Sequence, residues 1–239
     1  RRAIALLQVT REHDAERELL SLSAATPALR DDVLALASHA GLPAVALKLS
    51  SHAPADVRLA ASYPVPSWKP DSGYAIDQAL VLAFVRQESA FNRRAESRAG
   101  ARGLMQLMPR TASFVGGERA LHGRGKYRLY EPDLNLELGQ RYIQHLLSHK
   151  NISGDLFRLA AAYNAGPGNL RSWERAFEHG DDPLLFIESL PSRETRKFVE
   201  RILTNLWIYR SQFGQPAPSL DNIVAGRWPV YRPQDSDGR

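Results

Sequence analysis

Two features of the 239-residue sequence predict a mainly α-helical protein. Apolar residues recur at spacings of three and four in segment after segment, which is the period of a helical face. No run alternates apolar with polar over several residues, as a half-exposed strand does.

Residues 1–60 read as helical throughout. "DAERELLSLS" and "RDDVLALASHAGLPAVALKLSS" place Leu, Ala and Val on one face. Gly41-Leu42-Pro43 separates two short helices, with the proline in a first-turn position. Short antiparallel helix pairs in series predict a helical solenoid or its last repeats. "YPVPSWKPDSG", Tyr63 to Gly73, holds three prolines and a glycine and breaks any helix. The domain boundary is placed there, giving residues 1–70 as a helical superhelix or linker segment and 71–239 as a second domain. Beyond it, helices are predicted over Ala75–Phe91, over Leu104–Val115 with an interruption at Pro109, and over residues 135–150. Two more are predicted over "GDLFRLAAAYNAG", with Asp155 at its start and Gly166 as its stop, and over residues 193–213. "GERALHGRGKYRLYEP" reads as an irregular loop with room for a short hairpin. Trp228 and Tyr231 in "VAGRWPVYRP" suit a segment that packs back on the helical region rather than a free tail.

Composition narrows the function. Hydrophobic residues at 44% and charged residues at 24% fit a globular chain rather than a disordered one. No apolar run reaches the roughly 18 residues of a membrane span. The absence of cysteine excludes disulfides and thiolate chemistry. The start "RRAIALLQ", without Met and without a long apolar region, reads as a mature or truncated piece of something longer, from which any targeting segment would be missing. A formal charge of +5 suits an anionic polymer (nucleic acid, lipid headgroups or an acidic glycan) and equally suits solubility alone.

The chemistry centres on "VRQESAFN". Ile76, Leu80, Phe84 and Glu88 are four apart, so Glu88 continues an apolar row at the C-terminal end of its helix. Burial and the negative end of the helix dipole both disfavour its ionised form. Two readings follow: a protonated general acid, or a buried carboxylate paired with Arg86 or Arg98. "ESRAGARGLMQLMPRTA" then supplies Ser97, Gly100, Gly103, Gln106 and Met108. Its glycines permit positive φ, Gln106 both donates and accepts, and Met108 offers an adaptable wall. "AAAYNAGPGNL" puts Tyr163 and Asn164 at a helix end, as a sugar-contacting pair or as a simple turn. Glu188 precedes a proline and a charged helix start, where it also suits the helix dipole.

"RQESAFN", "GARGLMQLMPRTA", "AAAYNAGPGNLRSW" and "IESLPSRETRKFVERIL", in this order and spacing, resemble the catalytic domain of the soluble lytic transglycosylases, lysozyme-like enzymes that cut peptidoglycan. The resemblance covers Tyr74 to Phe213, and the preceding helices resemble the end of the family's α-superhelical region. It implies a lysozyme-like fold for residues 71–239, with Glu88 as the single catalytic acid/base. It further implies that Ser97 contacts the substrate's N-acetyl group and that Gln106, Met108, Tyr163, Asn164 and Glu188 line the groove. The expected partners are peptidoglycan glycan strands and muropeptides, the expected location is the periplasm, and neither metal nor cofactor is required. Phe91 and Arg93 stand where the family commonly has Trp and Pro.

Two rivals remain: a hydrolytic muramidase or chitinase on the same fold, and a non-catalytic peptidoglycan-binding module. Other motifs are weaker. "GGERALHGRGKY" lacks the spacer and the Ser/Thr of a phosphate loop. His145 and His149 have zinc-compatible spacing but no third ligand nearby, and read as a solvated face. Nucleic-acid binding has only the net charge in its favour.

Overall fold

The computed structural model describes residues 1–176 and 180–235, and among them helices and loops make up the whole architecture, with isolated bridges in place of strands. Two compact units emerge. One comprises Arg1–Trp68 with Ala90–Asn92; the other comprises Lys69–Ser89 with the residues from Arg93 onward.

The first unit holds α1 (Arg2–Gln8), α2 (Glu12–Ala25), α3 (Arg30–His39), α4 (Pro43–Leu49) and α5 (Ala55–Ser62). Most of these helices are too short to stand alone in water, so they persist by burying one stripe each. Leu19, Val33, Leu34, Leu42, Val45 and Leu49 meet in a shared core. The predicted break falls where the sequence puts it: Gly41 takes φ 65°, and Pro43 opens α4.

The second unit holds α6 (Gln78–Ser89), α7 (Pro109–Gly116), α8 (Pro132–Leu147), α9 (Leu156–Ala165), α10 (Pro167–Ala176), α11 (Pro183–Ser189), α12 (Arg193–Gln212) and α13 (Pro218–Val224). The long α12 packs along α6 and α9, and α8 packs against α7. Every residue of α6 from Ala79 to Val85 is buried, so this helix is the spine of the unit.

Three expectations are corrected. Helix α7 begins at Pro109 rather than being interrupted by it. Proline disfavours helical φ/ψ at the residue before it, and its missing N–H costs nothing in a first turn. Leu104–Met108 is therefore loop. Residues 117–132, read as an irregular loop with room for a short hairpin, instead hold a pair of 3₁₀ segments, Arg119–His122 and Arg124–Tyr130. The first apolar helix is also shorter than predicted, starting at Gln78, because Asp77 is used elsewhere.

Asp77 forms a buried ion pair with Arg210 of α12, at 2.7 Å, the two side chains being 1% and 0% exposed. Its other oxygen accepts the backbone N–H groups of Gln234 and Asp235, at 2.8 and 3.2 Å. The C-terminal segment thus folds back over the start of α6. The hydroxyl of Tyr231 accepts the N–H of Asp77 at 3.1 Å, and the N–H of Tyr231 bonds Gly154 O at 2.8 Å. The Trp228 ring lies 3.9 Å from the Arg158 guanidinium, and its indole N–H donates to Asp181 at 2.6 Å. The expectation that these aromatics anchor the segment is met.

Candidate active site

Helix α6 ends at Ser89, and the next two residues, Ala90 and Phe91, take φ of 50° and 66°. Two consecutive non-glycine residues in the left-handed region are costly, and such strain collects at functional turns. Glu88 stands in the last turn of this helix, half-buried. Arg86, one of the two cations considered for it, donates to Asn205 Oδ1 at 3.0 Å. Among the described residues no cation pairs with Glu88. Loss of solvent, assisted by the charge of Glu194, raises its pKa to about 8. The carboxyl group is therefore largely protonated at neutral pH, as a general acid requires.

Tyr163, on α9, lies at the same place. Burial and the charge of Glu88 both push its phenol well above its ordinary range. Its ring is walled by Phe84 at 4.6 Å, Tyr142 at 5.2 Å and Phe198 at 6.5 Å. The hydroxyl donates to Met105 O at 2.8 Å. Tyr163 thereby ties the Gly-Leu-Met-Gln loop to the helix bearing its neighbour Asn164. The side-chain Oδ1 of Asn164 accepts from Thr195 Oγ1 at 2.7 Å, which ties α9 to the first turn of α12, where Glu194 also stands. Both side chains thus serve as ties within the protein, which the reading of them as a sugar-contacting pair left out.

The loop itself is a stack of tight turns. Ser97 N bonds Ala101 O at 3.0 Å, and Ala101 N donates to Ser97 Oγ at 3.0 Å. Among the described residues the hydroxyl proton of Ser97 has no acceptor, so it is available to donate. The Gln106 side chain donates to Ala95 O and Gly103 O, at 3.1 and 2.9 Å, while its backbone takes φ 46°. Met108, 41% exposed, leads into α7. Glu188 sits exposed on α11, and no interaction among the described residues joins it to Glu88.

Sequence reasoning missed Asn135, which is wholly buried in α8. Its Oδ1 accepts from Met105 N at 2.8 Å, and its Nδ2 donates to Arg102 O and Leu129 O at 3.0 and 2.8 Å. One amide thus satisfies three backbone groups of the loop. The signal was present in "LNLEL": a lone amide inside an apolar helical face needs a partner. Glu194, the carboxylate that acts on Glu88, was also passed over, because nothing in local spacing links the first turn of α12 to the end of α6.

Gly103 closes the loop under Asn135. It takes φ 77°, and a Cβ there would lie 2.1 Å from Leu129 O and 2.4 Å from Asn135 Nδ2. Gly103→Ala is expected to destabilise the unit by about 2–4 kcal/mol through conformational strain and overpacking. Chemical denaturation measures this, and a change within about 0.5 kcal/mol of zero would show that the loop yields easily.

The family model for the Transglycosylase SLT domain matches residues 67–186. The "Soluble lytic murein transglycosylase" of Salmonella typhimurium is 38% identical over 144 residues, which are 60% of this chain and 22% of that protein. Its namesake in Escherichia coli K12 is 36% identical over 157 residues, 65% of this chain and 24% of that protein. The crystal structure of the 70 kDa soluble lytic transglycosylase from Escherichia coli superposes with a TM-score of 0.73 at 27% identity, covering 89% of this chain and 35% of that one. The lytic transglycosylase Slt of Pseudomonas aeruginosa, solved as an inactive glutamate-to-glutamine mutant, covers 99% of this chain and 38% of that one at a TM-score of 0.69 and 27% identity. The chain thus spans about a quarter of the length of the curated relatives it matches, and its second unit has the lysozyme-like fold. With the model matched over half its length, the chain belongs to the Transglycosylase SLT domain family.

Proposed function

We propose that this chain is a peptidoglycan lytic transglycosylase, cutting the β-1,4 bond between N-acetylmuramic acid and N-acetylglucosamine. The observation that carries this reading is Glu88: a half-buried carboxyl at a strained helix end, held protonated by its surroundings and paired with no cation among the described residues. Protonated Glu88 gives its proton to the glycosidic oxygen as the C1–O bond breaks. The 2-acetamido oxygen of the same sugar closes on C1, giving an oxazolinium. Glu88, now ionised, takes the proton of the 6-hydroxyl, whose oxygen attacks C1 and releases the acetamido oxygen. The product is a 1,6-anhydromuramic end, and Glu88 is left protonated for the next cycle. In this reading the Ser97 hydroxyl holds the acetamido group, and Gln106, Met108, Tyr163, Asn164 and Glu188 shape the groove. Residues 1–70 are the helical superhelix segment and 71–239 the catalytic domain. Such a substrate places the protein in the periplasm. Both the names of its relatives and the solved complex of the 70 kDa enzyme with bulgecin A support a carbohydrate-cleft reading.

Glu194 favours one rival. A second carboxylate whose charge reaches Glu88 is what a hydrolase needs to activate water. Product masses separate the two. Digestion of purified peptidoglycan is expected to give ends lighter by one water than reducing sugars, and reducing ends would mean hydrolysis.

The pH profile follows from the same carboxyl. The active form is protonated, so kcat/KM is expected to hold through neutral pH and to fall as pH rises through about 8. A decline already complete between pH 4 and 6 would mean that Glu88 titrates as an ordinary carboxyl.

A further inference from the structure

We propose that Tyr127, seated against the Arg102 guanidinium and flanked by Lys126, forms an outer subsite for an N-acetylmuramoyl residue of the glycan strand. The inference rests on the peptidoglycan reading above and deepens it.

Tyr127 is 63% exposed, and two cations lie close to its ring. Arg102 Cζ lies 5.3 Å and Lys126 Nζ 5.5 Å from the ring centroid. Arg102 is itself buried and fixed. It bonds Glu96 Oε1 at 2.5 Å and Tyr130 OH at 2.8 Å, while Tyr130 OH donates to Glu96 Oε2 at 2.6 Å. These bonds hold in place the guanidinium that lies over the Tyr127 ring.

The charge around the ring is unbalanced. Glu96 neutralises Arg102, and Arg128 is held by Glu118 at 2.8 Å and Glu131 at 4.0 Å. Lys126 makes no ion pair among the described residues, although its charge helps to hold the Glu96 carboxyl below its ordinary range. A flat apolar face beside excess positive charge matches a sugar ring that stacks through its C–H groups and bears a carboxylate on a side arm. N-acetylmuramic acid has that arrangement, through its lactyl group or the peptide stem attached there. A nucleic acid also offers rings and negative charge, but the location favours the glycan. Glu96 and Arg102 pair across the turn whose next residue is Ser97, so the platform is continuous with the loop assigned to the N-acetyl contact.

The test compares the parent chain with Tyr127→Ala, Tyr127→Phe and Lys126→Gln on long glycan strands and on a tetrasaccharide too short to reach an outer subsite. Tyr127→Ala is expected to raise KM on long strands about fivefold, with kcat unchanged and no effect on the tetrasaccharide. Tyr127→Phe should match the parent. Lys126→Gln should raise KM about twofold and weaken its dependence on salt. An unchanged KM for Tyr127→Ala on long strands overturns the proposal, as does an equal loss on both substrates. Sedimentation with insoluble sacculi in a Glu88→Gln background supplies a readout that needs no turnover. If the parent cleaves nothing, the catalytic reading fails, while weaker sacculus binding by Tyr127→Ala still supports the subsite. Reduced binding to single-stranded oligonucleotide with sacculus binding intact overturns it in favour of a nucleic acid.

Discussion

Glu88→Gln is expected to reduce peptidoglycan cleavage by about a thousandfold or more while leaving the fold intact. General acid–base catalysis contributes on the order of 10²–10⁴ in rate, and here one group performs both the protonation and the deprotonation. Glutamine keeps the shape and can still donate an N–H, but it has no transferable proton. The strongest sign that Glu88 matters is the cost of keeping it there. A carboxyl whose folded pKa is about 8 binds its proton more tightly than in the unfolded chain, where the value is about 4.5. Stability from this group is therefore fully present below about pH 4.5 and declines as pH rises towards 8. At pH 7 the loss is at most about 3–4 kcal/mol, the 2.5 pH units above 4.5 each being worth about 1.4 kcal/mol, and solvent at the half-buried carboxyl reduces it. The variant should thus melt higher than the parent at pH 7, with the gap closing towards pH 4. Inactivity together with higher stability is the signature of an acid held at a structural cost. Inactivity with lower stability would mean that Glu88 supports the fold instead, and full activity would remove it from the mechanism.

The helices were legible in the sequence wherever period and punctuation agreed. Helix α9 shows this best: Asp155 caps it by accepting from Arg158 N at 2.7 Å, and Gly166 stops it at φ 88°. Helix α7 was misread because apolar residues on both sides of Pro109 keep helical spacing, although the peptide geometry before proline does not allow one helix through it. The position of Glu88 was legible as the end of an apolar row. That no cation among the described residues pairs with it was not, because helix spacing cannot say that Arg86 turns to Asn205 on a helix 119 residues away. The roles of Tyr163 and Asn164 as ties were hidden for the same reason. Their partners, Met105 and Thr195, are remote in sequence, and only the packed helices bring them together.

The same limit hid the Asp77–Arg210 pair, and its removal is the second large effect expected. Arg210→Met should cost about 3–5 kcal/mol, because it leaves the Asp77 carboxylate buried without its countercharge. In a unit of this size each kcal/mol moves Tm by about 2–4 °C, so a drop of roughly 10 °C is expected. The pair does more than join two helices. Arg210 also donates to Arg232 O at 3.0 Å, and Asp77 receives the N–H groups of Gln234 and Asp235. Breaking it unfastens the C-terminal segment from the start of α6, the helix that ends in Glu88. Early proteolytic cleavage near Arg227 and Arg232 should therefore accompany the lower Tm. A double mutant cycle isolates the pair. Asp77→Leu combined with Arg210→Met removes both charges, so it should lose less than the sum of the single changes. It should not regain parental stability, because the N–H groups of Gln234 and Asp235 then lack their acceptor. Additive losses would show that the two charges act separately, and that hydrophobic contacts such as Trp228 against Phe186, with ring centroids 5.5 Å apart, hold the segment in place.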